Sequence, residues 1–457
     1  MKIRNILIVF VFLSFITACA EKQPGIDFKN ITFNEALKKA EKQNKLIFID
    51  FYTEWCGPCK RLAKGPFLDP EVGDFYNENF ISLKLDAEKE GLDVAKIYKV
   101  NSYPTLMFLK GDGTMIYRGG GNKHGSDMIG FGEKALQALE QGNNLEKLQT
   151  EFKQKKNDEA FLKQYISKMT EYGVSPTQGI EAWLRIQTEI EEDSKEMFQY
   201  LLNSQKYFMA DSYAWNLVDK YYDSYTKLAN KSEKRRLDCM KSDLLRNTIS
   251  EAYRLQSPEL MHLFINKNKA LGNTEYRHKS MEYYELMCQL LSNEIGMFKK
   301  QAITYVENIK TVQPVDEVRK ADKAEYNSRK KSYEKRTDAG GKNILKELKE
   351  GMQANQIVKD IVDVAHYYLQ YADNEKDFEY INDWISYCNR LIPNKYLVEN
   401  LQANNLYKQG ETTKAIELKT KALSDFPYNY KKRVNVEHEL GLMKQGEGLL
   451  TIAVNGK

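Results

Sequence analysis

The chain has 457 residues, with 68 basic and 64 acidic side chains and a net charge of +4. Charge this evenly balanced gives no reason to expect nucleic-acid binding. An aromatic content of 12%, with 29 tyrosines, excludes a disordered composition, and the length predicts two or three domains with ample core.

In chain order, Lys2 and Arg4 precede an apolar run over 6–18 that is too short for an ordinary membrane-spanning helix. It ends at Ile16-Thr17-Ala18-Cys19, which resembles the lipobox of bacterial lipoproteins. That resemblance implies a signal peptide over 1–18, a lipid on Cys19 and a polar tether reaching residue 29. The other reading is an ordinary secretory signal with Cys19 incidental. Either one exports the chain, and the lipidated form would be anchored on the periplasmic side of a bacterial membrane.

Residues 30–142 alternate helix and strand signals. A helix is expected over Phe33–Lys42, a buried strand over Leu46–Phe51 and a helix over Gly57–Lys64. Pro66 and Pro70 interrupt that helix, and it resumes over Glu71–Glu78. Strands follow at Phe80–Asp86, Thr105–Leu109 and Thr114–Arg118, the last two joined by a Lys110-Gly111-Asp112-Gly113 turn. Short and long helices are expected over Leu92–Tyr98 and Ser126–Glu140. The pattern predicts one α/β domain with a mixed sheet.

Within it stands Trp55-Cys56-Gly57-Pro58-Cys59-Lys60, at the start of a helix that follows a strand. The helix N-terminus favours thiolate over thiol. The two-residue gap lets the sulfurs close a disulfide. This motif, Asp50 six residues before it and Tyr103-Pro104-Thr105 before a strand together resemble the thioredoxin superfamily. The stretch Pro66-Phe67-Leu68-Asp69-Pro70-Glu71-Val72 looks closer to its exported branch, which includes the soluble reducing domain of periplasmic disulfide-reducing transporters. Asp86 ends the middle strand as in thioredoxins. One departure is that alignment places Ser82 where thioredoxins carry a lysine near the aspartate; Lys84 is the nearby substitute.

The residues carry the following roles. Cys56 is expected to be the nucleophile, partly exposed, and Cys59 the resolving thiol. Asp50, on an apolar strand, would have a raised pKa and take the Cys59 proton through a water. A solvent-exposed aspartate at the strand end is the alternative. The resemblance implies a cis Tyr103–Pro104 bond, with the backbone of Tyr103 and Thr105 open to an extended substrate. Trp55, Gly57 and Pro58 shape the rim, and the Gly-Pro dipeptide is that of reducing thioredoxins. Zinc is not expected, since His124, His262, His278, His366 and His438 are scattered. No cofactor is expected beyond the Cys56–Cys59 disulfide.

Residues 143–457 are expected to be all-helical, a bundle or degenerate helical repeats, with the boundary at Gln141-Gly142-Asn143-Asn144. Ser257-Pro258-Glu259 reads as an N-cap and a first-turn proline. Ala403, Gly410, Ala415, Ala422 and Pro427 fall at tetratricopeptide spacings, suggesting hairpins near 361–427. Arg319–Lys349 reads as a solvated helix face with a loop at Gly340-Gly341. Cys239, Cys288 and Cys388 are expected as small buried hydrophobes on helices, with a Cys239–Cys288 disulfide as the minor reading.

The expectation is therefore an exported, membrane-anchored thiol–disulfide oxidoreductase. It would act on protein or peptide disulfides, mainly as a reductase, supplied by a membrane electron donor. The alternatives are a scaffold lipoprotein whose helical half carries the function, and a disulfide oxidase or isomerase.

Overall fold

In the computed structural model, residues 25–449 and 454 are described, except 55, 99, 101, 121–123, 141–144, 173, 337 and 427–431. The signal segment, Cys19, Trp55, the Gln141–Asn144 boundary and Pro427 lie outside these residues. The chain divides into two compact units. The first runs to residue 155 and includes 164–175; the second comprises 156–163 and 176–457.

The first unit is built on α1 (Phe33–Gln43), β1 (Leu46–Tyr52), α2 (Gly57–Lys64), α3 (Pro70–Asn79), β2 (Phe80–Asp86), α4 (Leu92–Ile97), β3 (Thr105–Leu109), β4 (Met115–Gly120) and α5 (Gly125–Glu140). A capping box opens α1. The Glu35 N–H donates to Thr32 Oγ1 at 3.2 Å, and the Thr32 N–H donates to Glu35 Oε2 at 2.8 Å. Asn44, at φ 50°, ends the helix in the left-handed region. The sheet order is β2-β1-β3-β4, with β1–β2 parallel and the other two pairs antiparallel. The strand that Asp86 ends, β2, is therefore one of the two edge strands of the sheet. Among the described residues, an isolated parallel bridge from Phe28 to Ser82 lies beyond it.

Strand alternation divides β1 between two faces. Ile47, Ile49 and Phe51 pack with Ala36 and Ala40 of α1 and with Val94 and Ala95 of α4. Phe48 and Asp50 take the opposite face. There Phe48 lies 4.8 Å from Tyr76 and 5.2 Å from Phe108, centroid to centroid, and Phe108 lies 5.2 Å from Phe131 of α5. Tyr76 donates its hydroxyl to Met128 O at 2.8 Å, tying α3 to α5 beneath this aromatic layer.

Two expected boundaries move. Residues 25–29 are not tether but part of the first unit. The Ile26 N–H donates to Phe67 O and the Lys29 N–H to Ser82 O, both at 2.8 Å. Gly25 packs so closely on α3 that a Cβ on Gly73 would sit 2.3 Å from Gly25 O. At the other end, α6 (Leu145–Gln154) and much of α7 (Glu159–Glu171) belong to the first unit rather than to the helical half. Phe152 stacks on Tyr165 at 4.6 Å, and Tyr172 meets Tyr117 of β4 edge-on at 5.9 Å.

Among the described residues the second unit is helical apart from a short hairpin, Glu275–Tyr276 with Lys279–Ser280. Arg277 and His278 turn it at φ 48° and 65°. Ser257 caps Pro258–Ala270 as expected, accepting from the Leu260 N–H at 3.2 Å. Ala403, Ala415 and Ala422 are fully buried between Tyr396–Lys408 and Thr412–Asp425, and Gly410 turns the chain at φ 87°. Gly340 and Gly341 are not a loop. They lie in the first turn of Ala339–Glu350, where Asp338 accepts the Gly341 N–H at 2.9 Å. Cys288 and Cys388 are buried, but Cys239 is exposed, and all three are free thiols.

Candidate functional site

β1 leads through Thr53 and Glu54 into α2. The Cys56 N–H donates to Thr53 O at 3.1 Å, closing a tight turn that delivers Cys56 to the helix N-cap. Gly57 and Pro58 occupy the first two helical positions, where a missing N–H leaves no bond unmade. Cys59 follows, and its N–H donates to Cys56 Sγ at 3.1 Å. The two sulfurs form a disulfide with their Cα atoms 5.3 Å apart. When the pair is reduced, the same N–H and the helix dipole face the Cys56 sulfur and favour its thiolate.

Cys56 is not partly exposed as expected: both cysteines are 2% exposed. The sulfur of Cys56 turns back over the first helical turn to meet Cys59, so it does not project outward. Gly57 is exposed and Pro58 half-buried, leaving the Gly-Pro edge as the open part of the motif.

Asp50 is 0% exposed, which removes the solvent-exposed alternative. Neither carboxyl oxygen has a hydrogen-bond partner among the described residues. Burial pushes its pKa up to about 7, with the Lys84 ammonium pulling the other way. The sheet register explains the cation. Lys84 pairs with Asp50, whereas Ser82 pairs with Phe48, two residues back. The substitute lysine thus faces the aspartate, its Nζ resting 4.6 Å over the Tyr52 ring. The sequence signal for it was the lone cation in Phe80-Ile-Ser-Leu-Lys84-Leu-Asp86.

The Tyr103–Pro104 bond is cis. The strand it opens pairs with β1 directly, Thr105 with Phe51 and Leu106 with Asp50. Thr105 is buried, its hydroxyl bound to Ser102 O at 2.7 Å, so of this trio only Tyr103 is partly open. Burial raises the Tyr103 pKa, and the charges of Glu88 and Asp86 add to it. Sequence reasoning missed Thr53, whose carbonyl shapes the turn and whose buried hydroxyl has no partner among the described residues. It also missed the Glu54–Lys89 ion pair beside the motif. Among the described residues no group of histidine, cysteine and acidic side chains could hold a metal.

Residues 26–129 match the Thioredoxin family. The chain is 46% identical over 76 residues to a thioredoxin of Echinococcus granulosus, covering 17% of this chain and 66% of that one. It is 33% identical over 94 residues to thioredoxin-1 of Drosophila melanogaster, covering 20% and 84%. A protein disulfide-isomerase of Gallus gallus is 36% identical over 95 residues, covering 19% and 16%. The crystal structure of thioredoxin NaTrxh from Nicotiana alata matches at 25% identity over 26% of this chain and 96% of that one, with a TM-score of 0.21. Against several relatives the chain spans less than two thirds of their length, as with 41% of Thioredoxin-T of Drosophila melanogaster. Through residues 26–129, the chain belongs to the thioredoxin family.

Proposed function

We propose that this chain is an exported, membrane-anchored thiol–disulfide oxidoreductase that acts on protein disulfides, mainly as a reductase. The observation that carries the chemistry is the Cys56–Cys59 pair at a helix N-cap, with the Cys59 N–H on Cys56 Sγ. In the reduced pair, the Cys56 thiolate attacks one sulfur of a substrate disulfide. A Cys56–substrate disulfide forms, and the other substrate sulfur leaves as a thiolate and takes a proton. Cys59 then gives its proton, by way of a water, to the Asp50 carboxylate and attacks Cys56 Sγ. The second substrate thiolate leaves and Cys56–Cys59 closes. The substrate gains two electrons and the pair loses two, so a dithiol donor at the membrane has to recharge it.

Several features support the finer points. A carboxyl titrating at about 7 is suited to accept a thiol proton at neutral pH. The partly open Tyr103 beside Pro104 suits pairing with an extended substrate backbone. The Ile16-Thr17-Ala18-Cys19 sequence supports a lipid on Cys19 and a periplasmic location. Buried alanines and the Gly410 turn support degenerate tetratricopeptide-like hairpins near 361–427. The second unit then selects substrate or docks a partner.

The test is the reduction potential of Cys56–Cys59, titrated in thiol buffers. A value near roughly −270 mV is expected for a reductant, and one toward roughly −120 mV would make the pair a disulfide donor.

A further inference from the structure

The second unit holds a cavity of about 400 Å³, a volume typical of small-molecule sites. Its walls come from the Met352–Gln370, Tyr396–Lys408 and Lys432–Gln445 helices and the turn that follows the last. Leu369, Tyr371, Tyr407 and Leu449 make the apolar part, and Asn404 and Glu439 bring the polar part.

Glu439 is 5% exposed, and among the described residues only its Oε2 is engaged. The fully buried Lys419 donates to Oε2, and Asn404 Nδ2 donates to that same oxygen at 3.3 Å. Lys419 also donates to Asn404 Oδ1 at 2.5 Å, which fixes the orientation of the amide. Oε1 of Glu439 makes no hydrogen bond with the described residues and is not among the sealed polar atoms, which makes it the oxygen that this lining residue can present to the cavity. An acceptor this deeply placed calls for a donor.

Charge then selects the kind of donor. Lys419 already neutralises Glu439. Lys408, whose ammonium does lie in the wall, binds Leu369 O and Gln370 O at 2.6 and 2.7 Å, the orphan carbonyls at a helix C-terminus. A cationic ligand would meet the Lys408 ammonium and a carboxylate that Lys419 already neutralises from behind, and an anionic one would meet a carboxylate oxygen. We propose that this cavity binds an uncharged, ring-sized molecule that donates a hydroxyl or amide hydrogen to Glu439 Oε1 and lays its apolar face on Tyr371 and Tyr407.

The test uses the full chain and four single-ring probes of similar size, titrated by ligand-observed NMR. p-Cresol supplies a hydroxyl donor, toluene none, benzylamine a cation and benzoate an anion. p-Cresol is expected to saturate and to bind about tenfold or more tighter than each of the others. Leu449→Trp fills the cavity from its rim, away from the ion pair, and should abolish that binding. Glu439→Gln, checked for retained folding by its thermal transition, should weaken p-cresol about tenfold. The proposal is overturned if p-cresol does not saturate, if toluene or a charged probe binds as tightly, or if Leu449→Trp leaves p-cresol binding unchanged.

Discussion

Replacing Asp50 by asparagine should stabilise the first unit, and by an amount that depends on pH. The carboxyl is fully buried without a hydrogen-bond partner among the described residues, and its pKa rises from 3.8 to about 7. Between those two values the folded state holds a proton that the unfolded state has released. Stability therefore falls as pH rises through this window and levels off above about 7. The shift is about 3 units, and each unit is worth about 1.36 kcal/mol, so the ionised carboxylate costs about 4 kcal/mol. Below the unfolded value both states are protonated and the cost disappears. Asp50→Asn removes the titration, so it should gain about 4 kcal/mol at pH 8.5 relative to the native chain, and under about 1 kcal/mol at pH 4. Pulse proteolysis of the full chain in urea, with fragments of β1 followed by mass spectrometry, reads the folded fraction of this unit. A gain of equal size at both pH values would refute the titration. No gain at pH 8.5 would mean that water or Lys84 solvates the carboxylate in the folded state.

Three further outcomes are expected. Cys59→Ser should accumulate a covalent disulfide with a substrate protein on non-reducing gels, while Cys56→Ser should form none; equal adducts from both would reverse the assigned roles. Gly73→Ala should destabilise the first unit by about 1–3 kcal/mol, because its Cβ would meet Gly25 O at 2.3 Å; an unchanged urea midpoint would show that residues 25–29 are not packed as described. Among the three remaining thiols, iodoacetamide should label exposed Cys239 in the native protein. Cys288 and Cys388, with pKa values pushed up by burial to about 11 and about 12, should resist it, as peptide mapping would show.

Three of the strands were legible as mainly apolar stretches bounded by polar or turn residues, while β4, Met115–Gly120, runs two residues past its expected end. Phe80–Asp86 and Thr105–Leu109 match the expectation residue for residue, and β1 gains only Tyr52. The motif placed Cys56 and Cys59 at a helix start through local chemistry alone. Burial was less readable, since it depends on what the rest of the chain lays over a residue. That is why Cys56 is enclosed against expectation. Residues 25–29 contain Asp27 and Lys29 and look like tether, and their attachment rests on backbone bonds that have no sequence signature. α6 and α7 are amphipathic like the helices after them, and a stripe does not name the surface it covers. Cys239 was within reach of the sequence. The buried stripe of Lys231–Leu255 runs Leu237, Met240, Leu244, Thr248, and Cys239 falls beside it.

The early docking of Gly25 sets a mechanical limit on the proposed lipoprotein. With Cys19 held at the bilayer surface, only residues 19–24 remain between the lipid and the folded unit. Six residues fully extended span about 20 Å, less than the diameter of a small domain. The disulfide would therefore patrol a shallow layer of the periplasm, and substrates would have to come to the membrane to be reduced.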